Sequence, residues 1–149
     1  MEIEIKISPG ELVDRLSILE IKYDNIIDEV KRKFIYDELV YHRELFDRAV
    51  SEVSDVVVKK LLVLYADITR ANAYTWNLID LQRRAHVSQD HEKARELAEQ
   101  VMSRNDMRFQ VKNAINALFE SKFREQKDGI QYDIENSHSM PDDKSRGGG

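Results

Sequence analysis

Between Gly10 and Gly129 the chain contains neither glycine nor proline. A stretch that long without either residue is poorly equipped for the tight turns of a β sandwich or barrel, and it suits long helices. The remaining breakers sit near the ends, at Pro9, Pro141 and Gly147 to Gly149. The expected fold is therefore all-α, an antiparallel bundle of three to four long helices. At 149 residues it forms a single domain with a core of its own.

The first helix announces itself in SPGE. Ser8 can cap, Pro9 stands at the first helical position where a missing N–H is harmless, and Glu11 follows three residues after the cap. Leu12, Leu16, Leu19, Tyr23, Ile26, Ile27 and Val30 then share one stripe, with Glu20 inside it. Ile18 and Ile21 point the other way, near Asp14, so this helix is expected to be covered on two sides. A second helix is expected over about 34–53, either separate or continuing the first, with an apolar set that includes Phe34, Leu39, Tyr41 and Phe46. Ser54 or Asp55 would cap a third over 56–86, apolar nearly all round and so expected in the middle of the bundle. Ser88 would cap a fourth over 89–124.

Two short segments carry a different period. Residues 2–7 alternate Ile3, Ile5 and Ile7 with charged residues, and IQYDI at 130–134 alternates again, so two terminal strands could pair (2–7 with a segment in 128–135). The bundle is expected to span 1–127, and the polar residues 136–149 to form a disordered tail.

Composition narrows function. With no cysteine there is no disulfide framework and no thiolate chemistry. Apolar runs such as VVV and LLVLYA fall far short of the roughly 20 residues that cross a bilayer, and MEIEIKIS lacks the pattern of a secretory signal. A cytoplasmic protein without membrane contact is the expectation. A net charge of −5 repels phosphate backbones and argues against general nucleic-acid affinity. Carboxylates at i, i+3 in ELVD and ELAE are too sparse for a metal-dependent pyrophosphatase, and His86 and His91 are badly spaced for one metal. No metal, cofactor or nucleophilic site is expected.

One stretch resists the amphipathic pattern. In RNDMRFQVKNAIN, Asn105, Lys112 and Asn116 fall in the middle of the apolar arc, with Arg108 beside them and Arg104 at its edge. A buried cation without a partner costs several kcal/mol, comparable to the stability of a whole domain. Glu20, Asp14 and Asp80 are the candidate partners, while Asn72 on the third helix could bond the asparagines. One reading is an internal network that sets helix register. The other is a pocket in which Glu20, Asn72, Trp76, Asn105, Arg108, Lys112 and Asn116 receive an anionic ligand.

Three segments, SPGELVDRLSILEIK, NAYTWNLID and NDMRFQVKNAIN, together resemble a family of short, mainly helical proteins of unknown function encoded by bacteria and tailed phages. The family pattern is similar to S-x-G-E-L-x-D-K-L, then N-x-x-x-W, then N-D-x-R-x-x-x-K-x-x-I-N. Glu11, Asp14, Asn72, Trp76, Asp80, Asn105, Asp106, Arg108, Lys112 and Asn116 occupy matching positions, over roughly residues 3–127. Ile79 departs from it where a carboxylate is usual, and EQKDGIQY matches the closing segment only loosely. The resemblance implies a helical fold and no particular activity.

Two function classes follow. The first is a non-catalytic bundle that works by protein contact, with another protein or with itself as a homodimer. The second is a binder or enzyme for a nucleotide or sugar phosphate held by Arg108 and Lys112, with Glu20 as acid or base.

Overall fold

The computed structural model describes residues 1–121 and places four helices in them: α1 (Pro9–Asn25), α2 (Glu29–Ser51), α3 (Asp55–Val87) and α4 (His91–Leu118). Each begins at a side-chain cap that satisfies an otherwise orphaned N–H. Ser8 accepts from Glu11 N–H, Asp28 from Lys31, Ser54 from Val57 and Asp90 from Lys93. The expected cap at Ser8, with Pro9 opening the helix, is found, and so is Ser54.

Three boundaries differ from the sequence reading. The backbone turns extended at Ile26 and Asp28 caps a new helix, so α1 and α2 are separate and Ile27 and Val30 leave the first stripe for solvent. Ser88 closes α3 instead of opening α4. Gln89 takes a left-handed conformation (φ 59°), its N–H donates to His86 O, and Asp90 N–H donates to Ala85 O. This is a Schellman turn built without glycine. Third, α4 stops at Leu118, short of 124, in the same device: Glu120 is left-handed (φ 51°), Glu120 N–H donates to Ala117 O and Ser121 N–H to Asn116 O.

The expected strand at 2–7 does not form among the described residues, where Ile3 and Ile5 stand in solvent. A strand exists by pairing its backbone groups with a neighbour, and the alternation of three isoleucines supplies no neighbour. The proposed partner at 128–135, the end of the bundle at 122–127 and the tail at 136–149 lie outside the described residues.

α1 packs against all three other helices, while α3 pairs chiefly with α4 and α1. The centre of the bundle is thus α1, not α3, whose Leu62, Val63, Tyr74 and Leu81 remain exposed. Val13 meets Leu61, Ile68 and Ile115 in one cluster, Leu16 and Leu19 meet Leu39 of α2 in a second, and Leu78, Ala85, Ala94 and Leu97 hold the far end of the α3–α4 pair. No helix among the described residues is long and apolar enough to cross a membrane.

Glycine adopts the left-handed conformation without the steric cost that Gln89 and Glu120 bear. Gln89→Gly and Glu120→Gly are each expected to raise stability by up to about 1 kcal/mol, the roughly 1–2 kcal/mol steric cost of a left-handed residue less the entropy that glycine loses on folding, seen as a higher urea midpoint at unchanged slope. A lowered midpoint would contradict the turn geometry.

Candidate functional site

The polar insertions of α4 converge on one carboxylate of α1. Asp14 lies one turn into α1 and is almost wholly buried, its side chain 5% exposed. Arg108 grips it with two parallel bonds, Nε to Oδ1 at 3.2 Å and Nη2 to Oδ2 at 2.8 Å. Such a fork-on-fork pair is the strongest form of charge-assisted hydrogen bond a carboxylate can accept. Asn72 of α3 donates Nδ2 to the same Oδ1 at 2.9 Å and to Ser17 Oγ at 2.6 Å. Ser17 can accept because its own hydroxyl proton is directed to Asp14 O at 2.8 Å. The remaining Arg108 nitrogen, Nη1, donates to Asn105 Oδ1 at 3.0 Å. Three helices are thereby joined through one acid.

Lys112 extends the cluster. Its Nζ lies 2.7 Å from Glu11 Oε2 and 3.9 Å from Asp14 Oδ2. Burial alone would raise the pKa of Glu11, but its hydrogen bonds with Lys112 and Arg15 outweigh that and hold the carboxyl below its ordinary 4.5. The i, i+3 acids of ELVD are the counter-charges of α4's cations.

Asn116, fully buried one turn further on, performs a different task. Its Oδ1 accepts the backbone N–H of Gly10 at 2.7 Å, an N–H in the first turn of α1 that the helix itself cannot satisfy. This brings α1 so close to α4 that a Cβ on Gly10 would overlap Lys112 O and approach Asn116 Oδ1 to 2.8 Å. The glycine at the head of the breaker-free stretch is there for helix contact, not for a phosphate loop. Asn116 Nδ2 and Thr75 Oγ1 are buried without a hydrogen-bond partner among the described residues.

Glu20 is not part of this cluster. It accepts from Tyr65 Oη of α3 at 2.7 Å and from Arg43 of α2 at 3.2 Å, forming a second polar junction where α1, α2 and α3 meet. Burial, then the bond to Glu20, pushes the Tyr65 phenol well above its usual range. Asp80 pairs with Arg84 on its own helix, in solvent, and Trp76 is half-buried one turn beyond Asn72. Of the seven residues that the sequence points to, the structure therefore unites Asn72, Asn105, Arg108 and Lys112, places Asn116 one turn away, and leaves Glu20 and Trp76 outside the hydrogen-bonded cluster. Of the three candidate acids it selects Asp14, and it adds Ser17, Glu11 and Gly10. Asp14 carries one visible signal, its place on the second apolar face of α1. Ser17 and Gly10 carry none, because their roles depend on which helix arrives.

The Arg108 side chain keeps 24% of its surface exposed and that of Lys112 11%. Two grooves lie elsewhere: one of about 490 Å³ between α3 and α4, bordered by Arg70, Tyr74, Arg104 and Met107, the other of about 290 Å³ beside Tyr23, Arg32 and Tyr36. In the first, the Arg104 guanidinium stacks 4.3 Å above the Tyr74 ring. Among the described residues no cluster of three or more His, Asp or Glu side chains is placed to hold a metal. Compared with known proteins, the chain matches no family model, no curated protein and no solved structure.

Removing Asp14 would leave Arg108 and Lys112 facing each other with one acid fewer. Asp14→Ala is expected to lose about 3 kcal/mol or more, and Asp14→Leu combined with Arg108→Met to lose less than Asp14→Ala alone. A double-variant loss equal to the sum of the Asp14→Leu and Arg108→Met losses in chemical denaturation would show that the pair is not coupled. For Glu11, whose folded pKa is depressed, the stabilisation is present above 4.5 and is lost as pH falls through the folded value. Glu11→Gln is expected to lessen the acid-induced drop in urea midpoint, and an unchanged drop would argue against the pairing.

Proposed function

We propose that this is a non-catalytic, cytoplasmic helical bundle that acts through protein contacts, with the Asp14 cluster as an internal lock on helix register. Membership of the uncharacterised bacterial and phage family belongs to the same proposal, on the strength of the motif positions Asn72, Asn105, Arg108, Lys112 and Asn116. The observation that carries the reading is a division of labour between interior and surface. Both cations that could have received an anionic ligand are engaged by Asp14, Asn105 and Glu11, whereas Phe34, Tyr41, Leu62, Val63 and Leu81 stand in solvent. Exposed apolar side chains mark a contact surface where they form a contiguous patch.

A phosphate-binding enzyme would need Arg108 to release Asp14, and a buried carboxylate left alone is costly. Thermal unfolding of the full chain with inorganic phosphate, pyrophosphate and AMP tests this. No rise in melting temperature is expected with any of them. A ligand at about 100 times its Kd adds about 2.7 kcal/mol, so a rise that vanishes in Lys112→Met would replace the contact reading with the anion-binding one.

A further inference from the structure

We infer that the outer side of α3 is the contact surface and that its occupant is the α3 of a second copy of this chain, laid antiparallel. The inference rests on the contact reading above and names its partner. Val56, Val63, Tyr74 and Leu81 are 62%, 62%, 45% and 48% exposed. At about 100° per residue they fall within about 20° of one another, on the side of α3 turned away from the buried Leu61 and Ile68. Lys60, Asp67, Arg70 and Asn77 fill the places between them, so that the series runs in alternating steps of four and three residues. That is the spacing of a coiled-coil seam, here about 38 Å long and without a partner helix among the described residues.

The order of residues along the seam selects its occupant. Reversed about the point midway between Ile68 and Thr69, the seam is its own complement. Val56 then meets Leu81 of the second copy, Lys60 meets Asn77, Val63 meets Tyr74 and Asp67 meets Arg70, and each pairing recurs on the other side of the twofold axis. An isologous dimer requires such self-complementarity, and a dissimilar partner does not. In the two central layers, Asp67 and Arg70 of both copies form one ring of alternating charge, which extends a pair already present within each helix.

The remaining charges of α3 agree with this register or lie clear of it. On the flank away from α4, Lys59 comes beside Asp80 of the second copy, and Arg84 reaches the start of the second α3 near Asp55; both pairings occur twice. Arg83 lies about 180° round the helix from Tyr74. Arg104 of α4, stacked on Tyr74, stands level with Val63 of the second copy, between its Lys60 and its Asp67, and favours neither orientation. Two copies laid parallel and in register would instead set Lys60, Asp67 and Arg70 each on its own counterpart, like charge on like. Half of the seam positions are polar, which fixes orientation at a cost in affinity, so the dimer is a reversible one.

Sedimentation equilibrium of the full chain through the micromolar range reads the assembly directly, with far-UV circular dichroism as the check on folding. The wild type is expected to approach twice the chain mass. Asp67→Arg leaves only cations in the two central layers and Arg70→Asp only acids, so each variant alone is expected at the chain mass. An equimolar mixture of the two is expected to regain the doubled mass. Phe34→Glu, on the exposed side of α2, is expected to leave the dimer intact. The chain has no cysteine of its own, so Val63→Cys mixed with Tyr74→Cys is expected to cross-link, and Val63→Cys alone is not. A monomeric wild type, a dimer that survives both Asp67→Arg and Arg70→Asp, a folded pair of these variants whose mixture stays monomeric, a dimer lost in Phe34→Glu, or efficient cross-linking of Val63→Cys with itself would overturn the assignment. The contact reading fails on a different result, the ligand-dependent melting shift, so the two failures are separable.

Discussion

The ion pair between Asp14 and Arg108 is the constraint on which the arrangement of helices depends. A guanidinium and a carboxylate brought together out of water lose hydration that only close, well-aligned bonding restores. Here the fork geometry, the Asn72 amide and Asn105 supply that bonding from three different helices. Sliding α4 by one turn along α1 would part Arg108 from Asp14 and Asn116 from Gly10, leaving buried polar groups without their partners. Apolar contacts tolerate such slips far better, because they are non-directional. The hydrophobic clusters hold the helices together, and the polar cluster fixes which residues face which.

The same interface explains why glycine stands in the first turn of α1. Asn116 completes that turn by accepting the Gly10 N–H, and the two helices approach until no side chain fits between them. Capping, close packing and the ion pairs at Glu11 and Asp14 therefore fall on a single edge of α1. The opposite edge is held by Glu20, Tyr65 and Arg43, with Phe46 edge-on to Tyr65 at 5.6 Å. A helix of 17 residues can serve as the centre of a bundle of longer ones because nearly every face has a specific partner. α2 is fastened by fewer residues, and its Val30, Phe34 and Tyr41 are exposed among the described residues.

Much of this is legible in the order of residues. The cap at Ser8, the start of α3 after Ser54 and the helical class follow from local rules that a short window satisfies. So does the anomaly of RNDMRFQVKNAIN, since polar residues in an apolar arc can be found by periodicity alone. The end of α3 falls one residue from the expected 86, whereas the end of α4 is not legible, because Glu120 adopts a conformation that usually signals itself by glycine. Nor does the apolar circumference of α3 make it the central helix. A helix apolar on all sides can be buried, or it can present its second side to something else.

From the sequence alone it follows that the chain is helical, that α1 begins at Pro9, and that the cations of α4 require acids. Those are consequences of backbone freedom, capping and the cost of an unpaired charge, which act locally or on each residue alone. Only the packing of the helices decides that the acids are Asp14 and Glu11 and not Glu20, that Gly10 is needed for contact, and that Phe34 and Tyr41 face outward. These depend on the angle at which helices meet. Glu20 and Asp14 lie six residues apart on one helix, about 120° around its axis, and the docking of α4 against one side selects between them.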